Sequence, residues 1–511
     1  MATDDEDALD GPFGRPLFDN PSLRALRRVG VIDVGSNSVR LVVFDGAARS
    51  PAYFYNEKIL CGLGAGLGET GRLNPEGRTR ALAALRRFAM VTRGIEVTTL
   101  SAVATAAVRE AADGPAFRDE VLAETGIRLW VADGDTEARL SAQGVLLGWP
   151  GARGLVCDMG GSSMELAEVS GGHVGRRLTT DLAPLKLIGM KGGRKAMRAH
   201  ARERLAEVRK RLDGEYDHIY LVGGSWRAIA RLDMARRDYP LTVLHEYEMK
   251  PRSILQTIKW LQGKDLGKLR ARTGTSAERM RLVPIAGEVL RELLRAFEPR
   301  RVAVSSYGLR EGLLYEQMPD ELRRRDPLIE AARHAERTSA RFPGFGKVLY
   351  RFVEPLFANA KMDRLRLVKA ACLLHDVNWR AHPDYRAEVC FDTATWANLG
   401  GLDHKGRVFL GLALLHRYKN TRAPGRLDRL LPLLDDEGLR AAEVLGKAMR
   451  FGAMFSAQNA EMLGALRLHP RKKVLVFQLP RRAADLYGEV AEARLGALAK
   501  ALGCTPEVEM V

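Results

Sequence analysis

VIDVGSNSVRL at residues 31–41 and VCDMGGSSMEL at residues 156–166 share one pattern, with Asp33 and Asp158 lying 125 residues apart. Each stretch runs from apolar, partly β-branched residues to an Asp, then a turn of Gly, Ser and Asn, then a second apolar run. That order predicts strand, tight turn, strand. Glycine lets a backbone approach a ligand closely, and successive N–H groups in such turns form concave anion sites. A lone turn of this kind reads as an ordinary hairpin. Two in the same register predict a phosphate gripped from both sides, with Asp33 and Asp158 placed to reach a metal or a water.

The restart of the pattern sets the organisation around it. From Val29 to about Gly148 the order reads strand, turn, strand, extended segment, helix, strand, helix. Residues 76–92 have helical periodicity, and 97–104 and 127–134 read as strands. The order restarts at GLVCDMGG, with helices expected at 197–212, 225–237, 281–297 and 309–317 and strands at 218–224 and 302–306. Alternation of this kind implies α/β layers, and the restart implies two similar lobes around a cleft. The expected lobes span 28–148 and 149–318. Helical patterns then take over from 327 to 468, and a strand–helix–strand unit closes the chain over 469–511.

The totals are consistent with several domains: 511 residues exceed one hydrophobic core. No apolar run approaches a membrane span. The first sixteen residues, MATDDEDALDGPFGRP, are acidic and lack an apolar stretch, so we expect no secretory leader and a flexible tail over 1–20. Five cysteines without a CxxC pair suit a reduced, cytoplasmic protein. The net charge is +17, and residues 321–511 hold 32 Lys and Arg against 22 Asp and Glu, including Arg471-Lys472-Lys473 and Arg481-Arg482. Such an excess suits a polyanionic partner, although any single run also reads as a solvated face.

Seven motifs in order then make the chain resemble the exopolyphosphatase/guanosine pentaphosphate phosphohydrolase (Ppx/GppA) family of the actin-like, sugar-kinase and Hsp70 ATPase superfamily. They are the two DxG stretches, NEKILCGLGAGLGETGRL (56–73), ATAAVREA (104–111), DGDTEARLSAQGV (133–145), LVGGSWRAIA (221–230) and SSYGLREGLLYE (305–316). The resemblance implies a fold of duplicated actin-like (ribonuclease H-like) lobes, then an all-α HD-like domain and a small α/β unit. It implies that Glu137 activates the attacking water, that Arg109 contacts phosphate, and that Asp158 and Glu165 bind Mg²⁺ or orient water around it. Gly35, Ser36, Asn37 and Ser38, with Gly160, Gly161, Ser162 and Ser163, match the two phosphate-gripping turns. One departure stands out: Ser162 replaces the family's third glycine, so a serine must take that backbone conformation or use its hydroxyl on the phosphate.

Phosphoanhydride hydrolysis needs a positioned water, charge neutralisation and in-line geometry. Read from the residues alone, Glu137 is equally a carboxylate at a helix start; Arg109 with Glu110 also reads as a surface pair, and the functional role is preferred. The C-terminal LLHDVNWRAHPDY carries His375-Asp376, resembling an HD-domain relic; RFPGFG (341–346) lacks the upstream His that an active metal centre requires. His375 is therefore expected to be a buried, hydrogen-bonded helix residue. The reading is a Mg²⁺-dependent exopolyphosphatase acting on inorganic polyphosphate, with guanosine pentaphosphate 5′-phosphohydrolase activity as its rival. An ATP-dependent kinase or ATPase, for which LVGGSW is a weak adenosine motif, and a non-enzymatic polyanion or nucleic-acid binder are the other classes. A homodimer is expected from the family alone.

Overall fold

The first strand pair forms because its residues are apolar and β-branched on both faces. Val31, Ile32, Val34, Val39, Leu41, Val42 and Val43 are all buried, the signature of strands covered on either side. In this computed structural model, which describes residues 12, 13, 16–18, 23–188, 190–421 and 425–511, β1 (Ala25–Val34) and β2 (Ser38–Ala47) make an antiparallel hairpin that β3 (Ala52–Leu60) extends. β4 (Thr99–Ala104) runs parallel to β1, and β5 (Trp130–Val131) runs parallel to β4. The order is β3-β2-β1-β4-β5.

The second lobe repeats it. β6 (Gly154–Met159), β7 (Met164–Ser170) and β8 (His173–Thr180) form the antiparallel run, followed by parallel β9 (His218–Val222) beside β6. β10 (Tyr247–Met249) and β11 (Arg301–Val304) complete the order β8-β7-β6-β9-β11-β10. Apart from the added edge strand β10, both sheets follow one plan.

Helices Gly134–Gly148 and Leu309–Glu316 share one core with residues of both sheets, among them Val31, Val42, Val156 and Tyr220. They cross so closely that a Cβ on Gly312 would lie 1.8 Å from Leu140 O, and one on Gly144 would lie 2.2 Å from Gly308 O. Glycine is required at both positions. On the other face of lobe I lies helix Pro75–Gly94. On the other face of lobe II lie helices Gly193–Arg211, Gly224–Arg236 and Ala277–Phe297.

Three expectations need correction. Over 127–134 the strand shrinks to two residues, because it sits at the sheet edge and the chain must turn at Asp133 to cap the next helix. The helix expected from 281 starts at Ala277, where the Ser276 side chain accepts from Arg279 N, and it continues through Pro284. Much of the tail over 1–20 lies outside the described residues, yet Phe13 is buried in the core shared by both sheets, so that part is anchored.

The chain divides into two compact units, one through Pro327 and one from Leu328. The second unit contains helices Pro327–Ser339, Phe345–Val353, Met362–Leu374, Arg386–Trp396, His404–His416 and Asp436–Phe455. Its sheet has the order β12 (Ala465–His469), β13 (Val474–Leu479), β14 (Thr505–Met510), with helix Glu489–Leu502 before the last strand. β12 precedes the expected boundary at 469: it is short, and Leu466 alone is fully buried, so its alternation is weak. His375 is buried, its ring nitrogens facing Cys372 O at 2.7 Å and Gln458 Oε1 at 3.3 Å, and burial pushes its pKa down to about 4. Asp376 accepts from the Arg341 backbone N–H and side chain, which hold its carboxyl low despite burial. Among the described residues no helix is long and apolar enough to cross a membrane.

Candidate active site

The two DxG turns have the same backbone. Gly35 N donates to Ser38 O at 3.0 Å, and Gly160 N donates to Ser163 O at 3.0 Å. Neither Gly35, Gly160, Gly161 nor Ser162 needs a left-handed φ. Ser162 therefore replaces glycine without backbone strain, and its hydroxyl donates to Ser36 Oγ at 2.9 Å, joining the turns across the lobes. The loop after β3 wraps the first turn: Cys61 N and Gly62 N donate to Asn37 O, and Gly64 N donates to Ser36 O. The amides of Ser36, Asn37, Gly161 and Ser162 donate to no protein acceptor among the described residues. Unpaired N–H groups of this kind suit an anion.

Both turns open into a cavity of about 750 Å³, lined by residues from Asp33 to Arg310. In lobe II, Asp158 and Glu165 are direct cross-strand partners. Asp158 accepts from Ser141 Oγ, and burial pushes its carboxyl up. Glu165 is buried, its Oε1 has no hydrogen-bond partner among the described residues, and burial with Glu137 and Asp158 nearby raises its carboxyl well above the usual range.

Glu137 enters from the first turn of helix Gly134–Gly148, whose start is fixed by the Asp133 carboxylate accepting from Thr136 N. It is buried, and burial raises its pKa to about 7, opposed by Arg109 and reinforced by Asp158 and Asp33. Arg109, expected on phosphate, instead donates to Glu137 Oε1 and, at 2.7 Å, to Ala132 O, and it is not among the residues lining the cavity. Its guanidinium fixes the glutamate. A carboxylate titrating near neutrality beside a water-accessible cavity is equipped to take a proton from water.

The lobe I hairpin carries different charge. Asp33 pairs across the strands with Arg40 and receives Arg310 Nη1 at 2.8 Å. Arg40, Lys58, Arg227, Arg279 and Arg310 all line the cavity, and sequence reading gave them no role. A signal existed for four of them: Arg40, Lys58, Arg227 and Arg310 sit inside quoted motifs. Arg279 has none, because only folding brings it to Gly224, where a Cβ would lie 2.4 Å from the guanidinium. The basic run 471–473, by contrast, is exposed in the β12–β13 turn.

The acidic group fits a hard divalent cation in its chemistry: burial raises the carboxyls of Glu137, Asp158 and Glu165, and among the described residues Glu165 Oε1 has no hydrogen-bond partner. Among the described residues no cluster of three or more His, Cys, Asp or Glu closes around a metal. An ion there would take one or two oxygens from Asp158 and Glu165 and complete its shell from phosphate and water, as Mg²⁺ commonly does.

Residues 42–321 match the Ppx/GppA phosphatase family, and residues 328–508 match the family described as exopolyphosphatase, C-terminal. The chain is 26% identical to Exopolyphosphatase 1 of Mycobacterium leprae over 58% of this chain and 90% of that one. Exopolyphosphatase 2 of Mycobacterium tuberculosis is 36% identical over 28% of this chain and 48% of that one. Among solved structures, an exopolyphosphatase from Cytophaga hutchinsonii superposes with a TM-score of 0.53 at 24% identity, covering 57% of this chain and 98% of that one. With the family match covering residues 42–321, more than half of the chain, the chain belongs to the Ppx/GppA phosphatase family.

Proposed function

We propose that the chain is an exopolyphosphatase that releases orthophosphate from the end of linear inorganic polyphosphate. The observation that carries this reading is the cavity's polarity: a buried acid group beside two amide-lined turns, continuous with six cationic side chains. The terminal phosphoryl binds between the turns, where unpaired amides offset charge developing on its oxygens. Glu137, ionised and fixed by Arg109, takes a proton from a water aimed at that phosphorus. Arg310 and Arg227 neutralise the departing chain end. Mg²⁺, held by Asp158 and Glu165, would screen the carboxylates and draw charge from the phosphoryl oxygens.

We place the protein in the cytoplasm and read its helical C-terminal region as HD-like, with Arg341 on Asp376 where an active centre would hold metal. Guanosine pentaphosphate is the second substrate for the same site, because its terminal phosphoanhydride presents the same group to the turns. Orthophosphate release should be assayed in parallel on long-chain polyphosphate, guanosine pentaphosphate and ATP, with Mg²⁺. Preference for polyphosphate is expected. Preference for ATP would assign the cavity to the kinase and ATPase class.

A further inference from the structure

The cavity is wider than one phosphoryl group requires, and its charge is sorted. The dominant charged neighbours of Glu165 are Glu137, Asp158 and Arg109, and those of Glu137 are Arg109, Asp158 and Asp33. Arg227 and Arg310 act on Asp158 and on each other, marking the transition. Past them, Lys58 is surrounded by Arg279, Arg40 and Arg227, with Asp33 as its opposing charge. Arg279 in turn faces Arg231 and Glu278.

The opposing carboxylates at this second end stay beyond ion-pair distance. Lys58, Arg227, Arg231 and Arg279 form no ion pair with a carboxylate among the described residues. Arg227 donates only to the carbonyls of Gly223 and Ser306, both at 3.2 Å, and Arg231 donates to Thr273 O at 3.4 Å. The Lys58 side chain has no hydrogen bond among the described residues. The N-terminus of helix Ala277–Phe297, 21 residues long, lines the same end through Ser276, Glu278 and Arg279, and its dipole adds positive potential there. Like charges packed together without partners are costly unless an anion joins them.

We propose that Lys58, Arg227, Arg231 and Arg279 build a second anion subsite, which holds the interior phosphates of a linear polyphosphate while its last phosphoryl reacts at the turns. The inference rests on the reading of the cavity as a polyphosphate site and names which side chains take the chain behind the scissile bond. It gives the cavity a polarity for the substrate: the chain end lies among the carboxylates and the interior phosphates lie among the cations. It also links binding to protons. Lys58 is open to solvent at the cavity mouth, yet the surrounding protein and three guanidinium groups lower its pKa to about 8. An arriving polyanion raises that pKa again, so binding at pH 8 takes up protons.

The test is calorimetric titration of the whole chain with inorganic tripolyphosphate and with orthophosphate, comparing wild type, Lys58→Met and Arg279→Met. Tripolyphosphate should bind about tenfold more weakly to each variant, the order expected for losing one charge-assisted contact. Orthophosphate, which needs only the turns, should change by less than about twofold. In buffers of different ionisation enthalpy at pH 8, proton uptake on tripolyphosphate binding should be smaller in Lys58→Met than in wild type. Unchanged tripolyphosphate affinity in both variants overturns the subsite, and so does an equal loss for both ligands, which would move these side chains to the reacting centre. Thermal melting checks the variants first; if Arg279→Met unfolds, Lys58→Met, at an open position, decides alone. A wild-type protein that releases no orthophosphate from polyphosphate refutes the underlying reading, whereas active wild type with unaltered variant binding refutes only the subsite.

Discussion

The hairpin of lobe I and the hairpin of lobe II have one backbone and opposite chemistry. Each closes its turn with the same glycine-to-serine hydrogen bond, and each presents an Asp at the same cross-strand position. Across the strand, however, Asp33 faces Arg40, whereas Asp158 faces Glu165. The first Asp is paired with Arg310; the second is buried, and burial pushes its carboxyl up. Duplication supplied two anion-gripping turns, and divergence at the residue two positions after each turn made one side cationic and the other acidic. An anion held between the turns, as proposed, would meet cationic side chains on one side and carboxyl groups on the other.

The largest effect that sharpens this contrast is at Glu137. Glu137→Gln keeps the side chain's shape and should lower kcat by roughly 10²–10⁴-fold, the usual value of a general base. Steady-state phosphate release measures it, and a variant retaining more than about a third of wild-type turnover removes Glu137 from the role.

Identical substitutions then compare the hairpins directly. Asp158→Asn should lower kcat at least about tenfold more than Asp33→Asn and raise the Mg²⁺ concentration needed, since an amide is a poor ligand for a hard cation. Equal losses and an unchanged Mg²⁺ titration for Asp158→Asn would break the asymmetry.

The pH profile reads both sides at once. Glu137, raised to about 7 by burial, must be ionised to accept a proton, so kcat/KM should climb as pH rises through about 7. Lys58, lowered to about 8, must be charged to hold an anion, so kcat/KM on polyphosphate should fall as pH rises through about 8. Lys58→Met should flatten the alkaline limb and leave the acid limb in place. A profile flat between pH 6 and 9 contradicts both assignments.

Ser162→Ala should have the smallest effect. It removes the hydroxyl bridge to Ser36 but not the turn, so the expected cost is about 1 kcal/mol of stability, read as a modest fall in Tm. No change at all would mean that the bridge does not hold the turns together.

Much of this contrast was legible in the sequence. The repeated DxG register predicted paired turns, and the motif order marked Glu137, Asp158 and Glu165, all of which line the cavity. Local patterns carry that information, because each turn is made by consecutive residues. Arg109 was found without its partner Glu137: a motif shows that an arginine is present, whereas its 28-residue reach to Glu137 is set by how β4 leads into the next helix. The cationic end was not legible as a cluster. Its members come from β2, β3 and helices Gly224–Arg236, Ala277–Phe297 and Leu309–Glu316, and only the packing of lobe I on lobe II gathers them. The net basic charge pointed instead to the C-terminal runs, since composition counts charges without regard to where they meet.

In the proposed reaction, water deprotonated by Glu137 attacks the terminal phosphorus of a polyphosphate held between the two turns. Hydrolysis in ¹⁸O-labelled water, with products resolved by mass spectrometry, tests it most directly. The account predicts one labelled oxygen in each released orthophosphate, none in the shortened chain, and near-complete loss of label incorporation in Glu137→Gln. Label appearing on the shortened chain, or undiminished incorporation by Glu137→Gln, would contradict it.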